Sequence, residues 1–220
     1  FTVTITNVNE APVITSISTG SVGENAATAT VIYTVTSTDV DGSATVTYSI
    51  KPGVDDASLV SINATTGAVT LNNSANFEAK PSYTFTVVAT DNGTPGLTDE
   101  KSVTVSVTNV NEAPTDITLS NSSIAENSAV NSVVGTLSTT DVDAGDSFTY
   151  SLVSGTRDTD NTSFFIAGSS LKLTPSPNFE AKSSYSVRLR ATDAAGAIFE
   201  KQFTINITNV NEAPTDIILS

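Results

Sequence analysis

Residues 102–114 read Ser-Val-Thr-Val-Ser-Val-Thr-Asn-Val-Asn-Glu-Ala-Pro, an alternating apolar and hydroxylated run followed by the hexapeptide Asn-Val-Asn-Glu-Ala-Pro. The same hexapeptide begins at Asn7, Asn109 and Asn209, at spacings of 102 and 100 residues. A segment that recurs at such spacing indicates structural units arranged in tandem. The sequence therefore predicts two consecutive repeats within the 220-residue chain.

The positions of the hexapeptide predict the division of the chain. Because Phe1 to Pro12 recurs as Phe203 to Pro214, we expect the chain to be a piece of a longer tandem array. The predicted parts are the last strand and linker of a preceding repeat at 1–10, repeat 1 at 11–112, repeat 2 at 113–212, and the first strand of a following repeat at 213–220.

The two repeats stay in register except at one loop. Asp39-Val-Asp41 recurs as Asp141-Val-Asp143, an offset of 102 residues, whereas Glu100 recurs as Glu200, an offset of 100. The segment 92–98 is rich in Gly and Pro, which is typical of a loop. We therefore predict a two-residue deletion in a surface loop, where length changes are tolerated.

Each repeat contains several segments of alternating apolar and polar residues, which is the pattern of half-buried β-strands. The runs lie at 31–36, 45–50, 83–88 and 102–107, with counterparts near Val133, Phe148, Val187 and Phe203. Turn residues separate them, and no segment has a helical pattern. The prediction is an all-β fold of tandem Greek-key β-sandwiches, immunoglobulin-like in architecture, with about seven strands per repeat. The Cys–Trp–Cys signature of antibody domains is absent.

Composition excludes several function classes. The chain has no Cys, His, Met or Trp, which excludes disulfides, zinc ribbons, thiol nucleophiles and His-dependent catalysis. Lys and Arg number 9 against 23 Asp and Glu, a net charge of −14 that disfavours nucleic acid and anionic lipid as partners. No apolar run is long enough to span a bilayer, so direct membrane insertion is not expected.

Five short acidic motifs in each repeat resemble the calcium-binding motifs of cadherin repeats, in the family's order. In the first repeat they are Glu24-Asn25, Asp39-Val-Asp41, Asn76-Phe-Glu78, Ala89-Thr-Asp91 and Asn109-Val-Asn-Glu-Ala-Pro114. The resemblance covers both repeats and implies a cadherin-like sandwich. It agrees with the chemistry, because Ca²⁺ prefers six to eight oxygen ligands from carboxylates, amides and carbonyls.

The resemblance implies that Ca²⁺ is the cofactor and that its ligands come from both repeats and the linker. The complete junction would use Glu24, Asn76, Glu78, Asn109, Asn111, Glu112, Asp141, Asp143 and Asp193. Half of an earlier junction would be Asn7, Asn9, Glu10, Asp39, Asp41 and Asp91. Half of a later one would be Glu126, Asn178, Glu180, Asn209, Asn211 and Glu212. These sets hold 13 of the 23 acidic residues.

The concentration of charge suggests a mechanism. The six carboxylates of the complete junction repel one another when no cation is present, so the repeats are expected to move independently. Two or three bound Ca²⁺ ions would neutralise that charge and make the tandem rigid. Two differences from cadherins lower the expected affinity: Asn76 and Asn109 stand where cadherins usually have Asp.

The function predicted from these features is an extender or adhesion module of an extracellular or cell-surface protein, similar to the repeats of large bacterial adhesins. Its partners would be neighbouring repeats of the same chain, with a cell-surface protein or glycan as further partners. Two alternatives stay open: a carbohydrate-binding module, which the absence of Trp disfavours, and homotypic adhesion through the sandwich faces. Catalysis is not expected, because the carboxylate pairs recur in every repeat and lack an Asp-Thr-Gly signature.

Overall fold

The alternating Val, Thr and aromatic residues form strands in a computed structural model of the chain, which describes residues 1–41 and 44–213. The chain divides into two units, Phe1–Val110 and a second that begins at Asn111. Each unit is an all-β sandwich, which confirms the predicted fold class. The described residues contain two short 3₁₀ turns, Ala57–Leu59 and Asn161–Ser163, and no α-helix.

The described residues of unit 1 form nine strands. They are β1 (Val13–Ile14), β2 (Thr19–Gly23), β3 (Val31–Thr34), β4 (Ser37–Thr38), β5 (Thr47–Ile50), β6 (Val60–Ile62), β7 (Ala68–Leu71), β8 (Ser82–Thr90) and β9 (Thr98–Thr108). One layer is a four-stranded sheet in the order β2-β9-β8-β5, and the other has the order β3-β7-β6 with the short pair β1-β4 beside it. The β2–β9 pair is parallel and the remaining pairs are antiparallel.

Unit 2, as far as residue 213, repeats this arrangement with eight strands. They are β10 (Asp116–Leu119), β11 (Ser123–Ala125), β12 (Ser132–Thr140), β13 (Thr149–Leu152), β14 (Phe164–Ala167), β15 (Ser170–Leu173), β16 (Ser184–Thr192) and β17 (Ile198–Thr208). Its sheets have the orders β10-β12-β15-β14 and β11-β17-β16-β13. Strand β12 covers the length that β3 and β4 cover in unit 1.

The core of each unit lies between its two sheets. Alternate residues of β8 face inward, and Phe85 and Val87 are fully buried there. The Phe85 ring packs edge-on against Tyr33 from the opposite sheet, with ring centroids 6.2 Å apart. In unit 2 the corresponding strand β16 buries Val187 and Leu189. The period-two pattern therefore identified the inward-facing residues.

The length difference between the repeats lies in the hairpin loop that was predicted. Thr90 pairs with Thr98 at the end of the β8–β9 hairpin, and Thr192 pairs with Ile198 at the end of the β16–β17 hairpin. The second loop is therefore shorter by two residues, and the strands on both sides keep their register.

Residues 1–10 form no strand. The sequence predicts the last strand and linker of a preceding repeat there, because the segment repeats the end of β17. Phe1, Val3 and Ile5 are exposed, because an isolated extended segment has neither a neighbouring strand to bond nor a sheet to cover its apolar side chains. The strand predicted at 213–220 lies, after residue 213, outside the described residues.

Two glycines at equivalent turns offer a test of backbone constraint. Gly67 and Gly168 have φ of +70° and +61°, but a Cβ on Gly67 would lie 2.4 Å from the Val35 carbonyl oxygen, whereas a Cβ on Gly168 would meet nothing within 4 Å. We expect G168A to lower the free energy of unfolding by about 1 kcal/mol through φ strain alone. G67A should lower it by ~2–4 kcal/mol. Urea unfolding measures both, and equal losses would contradict the steric explanation.

Candidate functional site

Polar residues gather at one end of unit 1, where the segment before β1 meets two loops. We call this group (Asn7, Asn9, Asp39, Asp41 and Asp91) the aspartate cluster of unit 1. The side-chain amide of Asn9 donates to Asp91 Oδ2 at 2.8 Å, and that of Asn7 donates to Asp41. The Glu10 backbone N–H donates to Asp41 Oδ2 at 3.0 Å. The first predicted half-junction is thus brought together within this unit.

Unit 2 has the same cluster, formed by Asn111, Asp141, Asp143 and Asp193. The Asn111 amide donates to Asp193 Oδ2 at 2.9 Å, and the Glu112 backbone N–H donates to Asp143 Oδ2 at 2.7 Å. In both units the second Asp of the Asp-Val-Asp motif donates its backbone N–H to Oδ1 of the first. These bonds are therefore common to both repeats, whereas the bond from Asn7 to Asp41 has no counterpart at Asp143, whose Oδ1 accepts no hydrogen bond in the described residues.

The last Asp of each cluster is held by the hairpin loop that follows it. Asp193 Oδ1 accepts the backbone N–H groups of Gly196 at 2.6 Å and Ala197 at 2.8 Å. The hydrogen bond from Asn111, together with these backbone bonds, lowers the pKa of Asp193 despite burial. Asp91 is buried too, which opposes ionisation, but bonds from Leu97, Gly93 and Asn9 still lower its pKa. Both groups are therefore ionised and fixed at neutral pH.

The opposite end of unit 1 holds a second group, the glutamate cluster (Glu24, Asn76, Glu78 and Asn109). Glu24 is 3% exposed. Its Oε2 accepts the Phe77 backbone N–H at 2.9 Å, and its Oε1 accepts that of Val110 at 2.8 Å. Glu24 therefore ties the loop before β8 and the segment after β9 to the end of β2.

The glutamate cluster of unit 2 consists of Glu126, Asn178, Glu180, Asn209 and Glu212. Glu126 accepts the backbone N–H groups of Phe179 and Val210 at 2.9 and 2.7 Å, as Glu24 does in unit 1. One carboxylate oxygen each from Glu126, Glu180 and Glu212 lie within 4.8 Å of one another. Glu180 and Glu212 line an open cleft of about 670 Å³. The Asn211 side chain is exposed.

The Glu126 carboxylate is expected to stabilise the folded state less at acidic pH. Bonds from the Val210 and Phe179 backbone N–H groups lower its pKa from the ordinary 4.5, so its stabilisation is complete above pH 4.5 and is lost as the pH falls through the folded-state value. In EDTA, E126Q should lower the melting temperature at pH 7, and the difference from wild type should shrink below pH 4.5. The control is E10Q at an exposed side chain. A difference independent of pH would contradict this account.

Asn76 and Asn178 have a structural role that the sequence did not reveal. Each Oδ1 accepts a backbone N–H three residues later, from Ala79 and Ala181, both at 2.6 Å. These asparagines therefore cap tight turns, and the amide oxygen predicted as a metal ligand already holds one hydrogen bond.

Several aspartate oxygens are buried without a hydrogen bond. Among the described residues these are Asp39 Oδ2, Asp141 Oδ2, Asp143 Oδ1 and Asp146 Oδ2. An ionised carboxylate that is removed from water and left unpaired is unfavourable. The donors present are carboxylate and amide oxygens, without sulfur or imidazole, and this set suits a hard divalent cation such as Ca²⁺. The aspartate clusters therefore fit calcium chemically.

Asp146 is the residue that the sequence motifs missed. It lies in the loop between β12 and β13, three residues after Asp143, and its counterpart at the offset of 102 is Ala44. Burial, then the charges of Asp143, Asp141 and Asp193, raise its pKa. A comparison of the two loops for unmatched acidic residues would have found it.

Each of the two units matches a different family of known domains. Residues 18–108 match the cadherin domain, and residues 111–208 match a bacterial Ig domain. Human Protocadherin-1 is 31% identical over 96% of this chain, which spans 20% of that protein. Human Protocadherin Fat 1 is 30% identical over 80% of the chain, which spans 4% of it. The chain thus covers a small part of these relatives.

Solved structures show the same fold. Mouse Cadherin-23 EC22-24 is 25% identical with a TM-score of 0.67, covering 92% of this chain and 67% of that one. Human Protocadherin-24 EC1-2 is 21% identical with a TM-score of 0.75, covering 92% of this chain and all of that one. Within residues 1–41 and 44–213, no helix is long and apolar enough to cross a membrane.

Proposed function

Since the chain consists of cadherin-like repeats in tandem, we propose that it is a calcium-binding extender or adhesion module of a cell-surface protein. Calcium bound where two repeats join would limit their relative movement. The extracellular cadherin domains of Protocadherin Gamma B7 have a similar structure and support an extracellular location. The bacterial Ig match of residues 111–208 favours a bacterial surface adhesin as the parent protein.

The observation that carries the proposal is the set of buried carboxylate oxygens without a donor. Asp143 is 6% exposed, and its Oδ1 accepts no hydrogen bond in the described part of the chain. Asp39 and Asp141 also have an oxygen of this kind. None of the ion pairs among the described residues involves these three aspartates. A divalent cation supplies the missing positive charge without protonating the carboxylates.

The chain order explains how one junction would collect its ligands. In unit 1 the glutamate cluster fixes the backbone of Val110 through Glu24, and the next residue, Asn111, belongs to the aspartate cluster of unit 2. The linker 109–112 therefore carries ligands directly from one cluster to the next. We propose that Glu24, Glu78, Asn109, Asn111, Glu112, Asp141, Asp143 and Asp193 hold the ions, with Asn76 as a further ligand.

The proposal assigns the hydrogen bonds within the clusters a supporting role. The amides of Asn9 and Asn111 hold Asp91 and Asp193 in place. Backbone N–H groups of Glu10 and Glu112 hold one oxygen each of Asp41 and Asp143. These side chains are therefore already ordered, and binding an ion would cost little further side-chain entropy.

Calorimetric titration of the 220-residue chain with CaCl₂ tests this function. We expect two or three binding events with dissociation constants from ~10⁻⁵ to 10⁻³ M, and no comparable heat from MgCl₂, because Mg²⁺ demands tighter octahedral geometry. Absence of calcium binding below about 10 mM would overturn the proposal. The acidic clusters would then serve solubility, and a glycan array would become the next experiment.

A further inference from the structure

We propose that Asp146 is a further calcium ligand, which gives the aspartate cluster of unit 2 a tighter cation site than that of unit 1. The inference rests on the proposed function and deepens it, because Asp146 lies outside the motif set from which the junction was predicted. It also gives the two repeats different calcium affinities, although their Asp-Val-Asp motifs are identical.

The geometry suits a single ion. One carboxylate oxygen each from Asp141, Asp146 and Asp193 lie within 4.8 Å of one another. Two oxygens bonded to the same Ca²⁺ at ~2.3–2.6 Å are at most about 5 Å apart, so these three oxygens fit one coordination sphere. Asp193 is fixed there by Gly196 and Ala197, and Asp141 by the Asp143 backbone N–H.

A second observation points to a ligand at this place. Asp146 Oδ2 and Asp141 Oδ2 are both buried without a hydrogen bond in the described residues, and so is Oδ1 of Asp143, whose side chain is 6% exposed. Asp143 lies in the same loop as Asp141 and Asp146. Buried carboxylate oxygens without hydrogen-bond donors are energetically unfavourable, and a bound cation would compensate their negative charge.

Unit 1 lacks the corresponding group. Ala44 occupies the position of Asp146 and lines a cleft of about 250 Å³ together with Asn7, Asn9 and Asp41. The bonds from Asn9 to Asp91 and from the Glu10 backbone N–H to Asp41 recur in unit 2, whereas the Asn7 amide donates to Asp41 and Asp143 Oδ1 accepts no hydrogen bond in the described residues. Because calcium affinity rises with the number of charged ligands, the unit 2 site should fill at a lower calcium concentration than the unit 1 site.

Reciprocal variants test the inference in the full chain. D146A gives unit 2 the residue of unit 1, and A44D does the reverse. In calcium titrations we expect D146A to weaken the tightest step by about tenfold or more and to leave the other steps unchanged. A44D should strengthen a weaker step. Circular dichroism and thermal melting in EDTA check that both variants are folded.

The outcomes separate this inference from the proposed function. If wild type binds calcium and neither D146A nor A44D changes any step, the role of Asp146 is overturned while the junction proposal stands. If wild type binds no calcium, the proposed function itself fails. Should D146A not fold, A44D decides: an unchanged isotherm contradicts the inference, and a strengthened step supports it.

Discussion

Replacing Asp141 and Asp143 together with alanine is expected to abolish the calcium-binding steps of the complete junction. Asp143 is buried, with Oδ2 held by the Glu112 backbone N–H at 2.7 Å and Oδ1 left without a donor. Asp141 supplies a second such oxygen. The double substitution removes two of the six carboxylates of the predicted set, and with them two charged ligands of the ions. The heat of these binding steps should therefore disappear at calcium concentrations that saturate wild type.

The matched control is the equivalent pair in unit 1, D39A/D41A. That variant keeps every residue of the complete junction and should retain its binding steps. Wild type in calcium at one hundred times the dissociation constant should also gain ~2.7 kcal/mol in unfolding free energy per site, and D141A/D143A should not. Equal isotherms for the two double variants would contradict the assignment of the junction to Asp141 and Asp143.

The same variants test the proposed rigidity. Small-angle scattering of wild type should report a narrower range of interdomain distances when calcium is added, because neutralised carboxylates no longer repel one another. D141A/D143A should show no such response. If wild type binds calcium but its scattering curve does not change, the calcium site is supported and the proposed increase in rigidity is contradicted.

Phe85→Ala is expected to cause the largest loss of stability, about 3–5 kcal/mol for unit 1. The Phe85 side chain is fully buried between the two sheets and packs edge-on against Tyr33. Truncation removes apolar surface from the core and leaves a cavity that the paired strands β8 and β9 cannot close without breaking their register. Urea unfolding measures the loss.

Phe165→Ala is the control for this substitution. Phe165 lies on β14 of unit 2 and is 36% exposed, so its removal should change the free energy of unfolding by less than ~1 kcal/mol. A loss for Phe85→Ala no larger than that for Phe165→Ala would contradict the position assigned to the unit 1 core.

Much of the fold could be predicted because its information is local. The runs that alternate over 83–88 and 102–107 lie in β8 and β9, and their inward residues form the core. The strands β6 and β7 have three and four residues, which are too few to show a clear period. Residues 1–10 carry a strand pattern but form no strand, since pairing depends on a neighbour and not on sequence alone.

The clusters were predictable as a set because their motifs recur at fixed spacing. The sequence also located the loop of variable length, which follows Asp91 and Asp193 directly. It did not reveal that backbone N–H groups hold Asp193 or that Glu24 accepts two of them. Such bonds join residues distant along the chain, so no local pattern records them.

By itself, the sequence determined the tandem repeat, the all-β class and the acidic character, because each depends on composition or spacing. The residues of the clusters were predicted from the resemblance of the acidic motifs to those of cadherin repeats. Only the tertiary structure decided which oxygens within the clusters accept hydrogen bonds. It showed the amide oxygens of Asn76 and Asn178 engaged in turns, and it brought Asp146 to Asp141 and Asp193. The physical reason is that a carboxylate's partners are set by the folding of separate loops against one another, which fixes distance, burial and charge together.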